Sequence, residues 1–144
     1  IVIANMLLHH VNDIPKALSE VNRVLKTGGI FYSATFGENG VVDYLASLFR
    51  DEVDQDLENK TFTLQNGKRY LSRYFNSVDT LLYDDELQVT RIDDLVKYIQ
   101  SFKGISEIGS LEEEIIRKRL ESEFNNGMLI IPKEYGMFIA RKES

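Results

Sequence analysis

The chain has 144 residues, 43% of them hydrophobic, a formal net charge of −6 and no cysteine. That size and composition suit one globular domain with its own core. The acidic balance argues against a phosphate-rich nucleic-acid partner, and the lack of cysteine excludes disulfides, thiolate zinc sites and thiol nucleophiles.

Ile1 to Leu8 is an apolar run broken only by Asn5, the pattern of a strand covered on both faces, as in a parallel sheet. Asn5 is therefore expected to be buried, and a buried amide needs a hydrogen-bond partner. Neighbouring backbone or a ligand's amino group would serve equally. After the polar loop, Ile14, Ala17, Leu18, Val21, Val24 and Leu25 fall on one face of a helix. Asn12 or Asp13 caps its start, Pro15 is tolerated in the first turn, and Gly28 provides a left-handed residue at its end. Ile30 to Thr35 reads as the next strand, which completes a βαβ unit expected to be right-handed.

Val41, Leu45, Leu48 and Phe49 share a helical face, and the acidic stretch Asp51 to Glu58 reads as a solvated loop or helix end. Thr61 to Leu64 alternates briefly before Asn66-Gly67, a turn signal. Arg69 to Phe75 follows as a short helix with Leu71, Tyr74 and Phe75 inward. Val78 to Tyr83 reads as a strand, with Leu87 to Val89 a continuation beyond an acidic turn. Thr90 with Asp93, and Ser110 with Glu113, look like capping-box starts of two helices. The first carries Ile92, Leu95, Val96, Ile99 and Phe102, and the second Leu111, Ile115, Ile116, Leu120 and Phe124. Glu112 to Glu114 suit the positive end of the second helix. Asn125-Asn126-Gly127 stops it. Met128 to Ile131 and Tyr135 to Ala140 then read as two strands separated by Pro132-Lys133. No repeat, low-complexity tract or linker interrupts residues 1–144, so a single domain is expected.

The loop LLHHVND, the helix end RVLKTGG and the strand IFYSATFG together resemble the middle of a class I S-adenosylmethionine-dependent methyltransferase. In that family a strand-four segment ending in LHH precedes a helix of the form LxExxRVLKPGG. Leu18, Glu20, Arg23, Val24, Leu25, Lys26, Gly28 and Gly29 match it, and Thr27 stands where the family usually has Pro. FTLQNG, LSRYF and EYGMFIARK extend the resemblance more weakly along the chain. It implies an α/β fold class: the C-terminal half of a Rossmann-like sheet, strands four to seven, flanked by helices. It also implies that Tyr135 to Arg141 enters antiparallel between strands five and six, and that residues at about 41–75 cover the substrate or simply pack as a helical cover.

The family's glycine-rich cofactor turn is not found in these 144 residues; the one Gly pair follows a helix. The expectation is a fragment preceded by roughly a hundred residues, with S-adenosylmethionine the cofactor of the longer protein and no measurable cofactor binding by this stretch alone. Ligands in open α/β sheets bind beyond the carboxyl ends of the strands. By resemblance, Ala4, Asn5 and Met6 would line the methionine portion of the cofactor, and His9 or His10 would face a small-molecule methyl acceptor. Either histidine is a candidate base, and an inert, hydrogen-bonded loop histidine is the simpler alternative. Gly37 and Glu38 are weaker candidates, as are the aromatics Tyr32, Phe36, Tyr44 and Phe49. No metal site is expected, for want of ligands.

No apolar run approaches the length of a bilayer span, so neither a membrane nor a nucleic-acid partner is expected, and a cytoplasmic setting fits. The strand at Val2 to Leu8, without its family neighbour, would be a bare apolar edge. A homodimer or larger assembly through it is expected. Two other readings stay open: a non-catalytic, self-associating half-fold, and a nicotinamide-dependent oxidoreductase fragment needing a glycine turn upstream.

Overall fold

The computed structural model describes residues 1–53 and 60–143. Of the expected acidic loop, residues 54–58 lie outside the described residues. The elements are β1 (Val2–Asn5), a 3-10 turn at Leu8–His10, α1 (Ile14–Val24), β2 (Ile30–Phe36), α2 (Val41–Leu48), α3 (Gly67–Leu71), β3 (Ser77–Val89), α4 (Ile92–Gln100), a 3-10 turn at Glu107–Ser110, α5 (Glu113–Glu121) and β4 (Leu129–Arg141). The sheet has four strands in the order β1-β2-β4-β3. β1 lies parallel to β2, and β4 lies antiparallel to it with Ile30 opposite Arg141 and Phe36 opposite Tyr135. The last strand thus lies between β2 and β3, antiparallel to β2.

The chain divides into two compact units. The first takes the described residues of Ile1–Glu38, Asn59–Asp84 and Glu134–Ser144. Its core is built on one face of the sheet: Ala4, Phe31, Phe138 and Ala140 pack with Ile14 and Leu18 of α1, Leu71 of α3, and Phe62 and Phe75. α1 forms where it was expected because Asp13 accepts a hydrogen bond from Lys16 N at 2.9 Å and Pro15 needs no intrahelical partner. Gly28 does have φ +78, but the helix ends earlier, at Val24, with extended Leu25 as its C-cap. Gly28 instead shapes the turn whose N–H donates to Lys142 O at 2.7 Å. Lys142 Nζ reaches back to Asn22 O and Leu25 O at 2.6 and 2.8 Å, placing a cation on the helix's last carbonyls.

The opposite sheet face corrects the reading of Ile1 to Leu8 as a strand buried on both sides. Ile3 is 69% exposed and Asn5 is exposed. The cause is alternation: Val2 and Ala4 point into the helix-covered core, so Ile3 and Asn5 point the other way. Asn5 therefore carries no burial cost.

The second unit takes the described residues of Asn39–Glu58 and Asp85–Lys133. Leu45 and Phe49 of α2 and its C-cap join Leu95, Val96 and Ile99 of α4, Ile116 and Leu120 of α5, and Leu129 and Ile131. The two capping boxes do not form. Arg91 and Glu112 occupy the N-cap positions, without side-chain cap bonds, so each helix starts later in the chain than Thr90 and Ser110 suggested. Asp93 and Asp94, and Glu113 and Glu114, still sit in the first turns, where the dipole favours them. Asn126 and Gly127, at φ +51 and +77, form the turn before β4.

β4 is one strand through Pro132, where two were expected. Its pairing with β2 covers only Tyr135 to Arg141, so the missing N–H of Pro132 breaks no bond of that ladder. β3 likewise runs unbroken from Ser77 to Val89 through its acidic segment. No helix among the described residues is long and apolar enough to cross a membrane.

Candidate functional site

The carboxyl ends of β1 and β2 lie side by side in the first unit. β1 keeps its pairing one residue past Asn5, because Met6 N donates to Ala34 O at 3.0 Å. Met6 then has φ +51, a left-handed conformation that costs a non-glycine residue about 1–2 kcal/mol. It turns the chain out of the sheet and into the 3-10 turn at Leu8–His10, closed by His10 N to Leu7 O at 2.9 Å and Val11 N to Leu8 O at 3.1 Å.

That turn leaves the two histidine rings in contact, 4.0 Å between centroids, but unequally buried. His9 is 8% exposed, with its ring centroid 4.7 Å from that of Phe36 on β2, whereas His10 is exposed. Thr61 Oγ1 donates to His9 O at 3.2 Å. Burial holds the His9 imidazole below its ordinary pKa, and the neighbouring His10 charge lowers it further. His9 is therefore neutral at physiological pH, the form that accepts a proton.

The other expected contributors fall on different sides. Ala4 is buried in the core, so its backbone is what it can offer a ligand. Asn5 and Met6 are exposed. Tyr32 and Phe36 are half-buried on β2, while Phe49 is fully buried in the core of the second unit and Tyr44 is half-buried there. Tyr44 Oη donates to Glu123 Oε2 at 3.2 Å, and burial, then that carboxylate, pushes its phenol up to about 12.

The loop that contains the alternating Thr61 to Leu64 is stitched to the end of β2. Thr35 Oγ1 donates to Phe62 O at 3.0 Å and Leu64 N to Phe36 O at 3.0 Å. The hydroxyl of fully buried Thr63 donates to Glu38 Oε1 at 2.8 Å and accepts from Asn66 N at 3.3 Å. Gln65 links the segment just after β2 to β4: Glu38 N donates to its Oε1 at 3.0 Å, and its Nε2 donates to Glu134 Oε1 at 2.6 Å. Gly37 permits this, because any Cβ there would overlap the Glu134 carboxylate. Thr63, Gln65 and Glu134 were not among the expected site residues. The one local signal was the Thr63-x-x-Asn66 spacing, which favours reciprocal side-chain-to-backbone bonds.

A family model described as a methyltransferase domain matches residues 1–33, which run from β1 through the histidine turn and α1 into β2. The crystal structure of the YcgJ protein from Bacillus subtilis superposes on 99% of the chain and 64% of its own, with a TM-score of 0.54 and 20% identity. The chain has a class I S-adenosylmethionine-dependent methyltransferase fold. Similar in sequence are relatives named for a different activity. The arginine-hydroxylase NDUFAF5, mitochondrial, of Mus musculus is 31% identical over 115 residues, covering 74% of this chain and 32% of its own length. That of Homo sapiens is 34% identical over 56 residues, covering 39% of the chain and 16% of its own length. The chain thus spans at most about a third of the curated relatives it matches. Among the described residues, no group of three or more His, Asp or Glu side chains could hold a metal ion.

Proposed function

We propose that this chain forms one wall of the active site of an S-adenosylmethionine-dependent methyltransferase acting on a small molecule, within a longer polypeptide. The observation that carries the reading is that the methyltransferase-domain match coincides with the strand-turn-helix unit bearing Asn5 to His10. The same match supports S-adenosylmethionine as the cofactor. When bound, S-adenosylmethionine supplies a methyl group on a sulfonium, already activated for in-line displacement. The protein's task is then mainly to position donor and acceptor. Asn5 and Met6, exposed at the carboxyl end of β1, would hold the methionine portion, with Ala4 contributing backbone. His9, kept neutral by burial, is in the form that takes a proton from an acceptor needing a base. His10, exposed beside it, would contact the acceptor.

The name of these relatives, arginine-hydroxylase, favours a second reading, hydroxylation of an arginine on the same fold. Incubating the full-length protein with methyl-labelled S-adenosylmethionine and a panel of small acceptors, and separately with an arginine-containing peptide, dioxygen and a two-electron reductant, separates the two. Labelled product, reduced in His9→Gln, supports methyl transfer. An unlabelled arginine-containing product that gains one oxygen overturns it in favour of the second reading.

We also propose that the 144-residue chain alone self-associates through β1 and binds no cofactor. Ile1, Ile3 and Leu7 are 82%, 69% and 51% exposed, and no charged residue lies between Ile1 and Leu8 to discourage strand pairing. Light scattering showing a monomer at high concentration, or calorimetry showing micromolar S-adenosylmethionine binding to this stretch, contradicts the respective proposal.

A further inference from the structure

β3 is the sheet's other edge, with β2 and β4 between it and β1. On its inner side it is held to β4 closely enough that a Cβ added to Gly136 would sit 2.6 Å from Leu81 O. Its outer side pairs with no strand among the described residues. Along β3 the six residues from Asp79 to Asp84 are all exposed. Side chains alternate along a strand, so both faces of this segment are open. Leu81, Leu82 and Tyr83 are exposed by 56%, 73% and 69%, which makes three large apolar side chains in a row on an uncovered edge. An edge of this kind is a template for strand addition.

Charge says which strand. The apolar triplet is bracketed by Asp79 and Asp84, and neither forms an ion pair among the described residues. Antiparallel pairing with a second copy in full overlap would put Leu82 opposite Leu82, and Asp79 of each copy opposite Asp85 of the other, whose charge Lys133 already partners. A slip of one residue sets Asp79 against Asp84 instead. Like charges directly opposite one another destabilise a pair of strands, and two such contacts would form by symmetry. A segment with Lys or Arg at those positions turns both into attractions.

We propose that the free edge of β3 at Asp79–Asp84 is a docking site for an extended partner segment with an apolar centre and a Lys or Arg opposite each aspartate. Cross-strand neighbours share a face, so the two basic residues are five positions apart and point to opposite faces of the added strand. Backbone hydrogen bonds to β3 supply the affinity, the apolar triplet covers the segment's centre, and the aspartates fix its register. This surface is independent of the strand ends assigned to the cofactor.

Fluorescence anisotropy with two labelled peptides tests the proposal. One has Lys and Arg bracketing four β-branched residues, and its twin has Glu at both ends. The basic peptide is expected to bind about tenfold tighter at low salt. The doubly substituted Asp79→Lys, Asp84→Lys chain is expected to reverse that preference. Both substituted positions are exposed, and circular dichroism checks that the variant keeps its fold. Equal binding of the two peptides, or an unchanged preference in the variant, overturns the proposal. So does a dimer that Leu82→Lys abolishes, since the occupant would then be a second copy.

Discussion

Thr63→Val probes the stitching of the loop to the end of β2. The substitution keeps the shape and deletes the hydroxyl, which donates to the Glu38 carboxylate at 2.8 Å and accepts from Asn66 N at 3.3 Å. A hydrogen bond to a charged group is worth about 1.5–3 kcal/mol and a neutral one about 0.5–1.5 kcal/mol. Glu38 is half-buried and regains water, and the second bond is long, so the low end of each range applies. The expected cost is about 2 kcal/mol, which lowers Tm by about 4–8 °C for a chain of this size. Calorimetry on Thr63→Val, Glu38→Ala and the double variant completes a cycle. The two sites share one bond, so a coupling of about 1 kcal/mol is expected. Exchange of the Asn66 amide hydrogen should also accelerate in Thr63→Val. A loss below about 0.5 kcal/mol with additive single variants would refute the bond's role.

Three further outcomes follow from packing and proton linkage. Gly67→Ala should destabilise, although helix propensity alone predicts a gain of up to about 1 kcal/mol. The new Cβ would overlap the ring of Phe138 and lie 2.9 Å from that of Phe62, both fully buried, and overpacking costs about 1–3 kcal/mol. A raised urea midpoint would contradict this. Because the folded-state pKa of His9 is lowered, the unfolded chain binds its proton first as pH falls. Its stability contribution is therefore full above the ordinary imidazole value of about 6.5 and declines below it. The stability difference between the wild type and His9→Gln, followed by urea unfolding from neutral to mildly acidic pH, should shrink as pH falls. A difference that grows would contradict the assignment. Tyr44, raised to about 12, should remain a phenol in an ultraviolet titration well past the ordinary tyrosine range. Its contribution is present below the unfolded pKa of about 10 and is lost as pH rises through the folded value. Ionisation near 10 would contradict the burial of the Tyr44 phenol together with its Glu123 contact.

Local chemistry made part of this fold legible. The spacing of Ile14, Leu18 and Val21 with Asp13 before them gave α1, and Ile30 to Thr35 gave β2 to within a residue. The resemblance carried by RVLKTGG placed Tyr135 to Arg141 antiparallel beside β2, where it lies. What stayed hidden depended on partners distant in the chain. Ile3 and Asn5 have the sequence of a doubly covered strand, and only the position of α1 and α3 on one face reveals that they are exposed. Gln65 and Glu134 are separated by 69 residues, so no local pattern announces their bond. Thr90 and Ser110 offered good caps, but Arg91 and Glu112 became the N-caps, so the burial of Leu95, Ile99, Ile116 and Leu120 accompanies a later start than the caps suggested. At the strand end, the histidine pair was visible as the only two histidines, whereas the left-handed turn at Met6 that sends one inward and leaves the other exposed was not.

The central claim is that Asn5 to His10 borders an S-adenosylmethionine site in the full-length protein. Ultraviolet cross-linking of methyl-labelled S-adenosylmethionine to that protein, followed by peptide mapping, addresses it directly. Label on the peptide containing Asn5 and Met6, competed away by S-adenosylhomocysteine, is the predicted result. Competable label confined to other peptides, with none on this stretch, would contradict it.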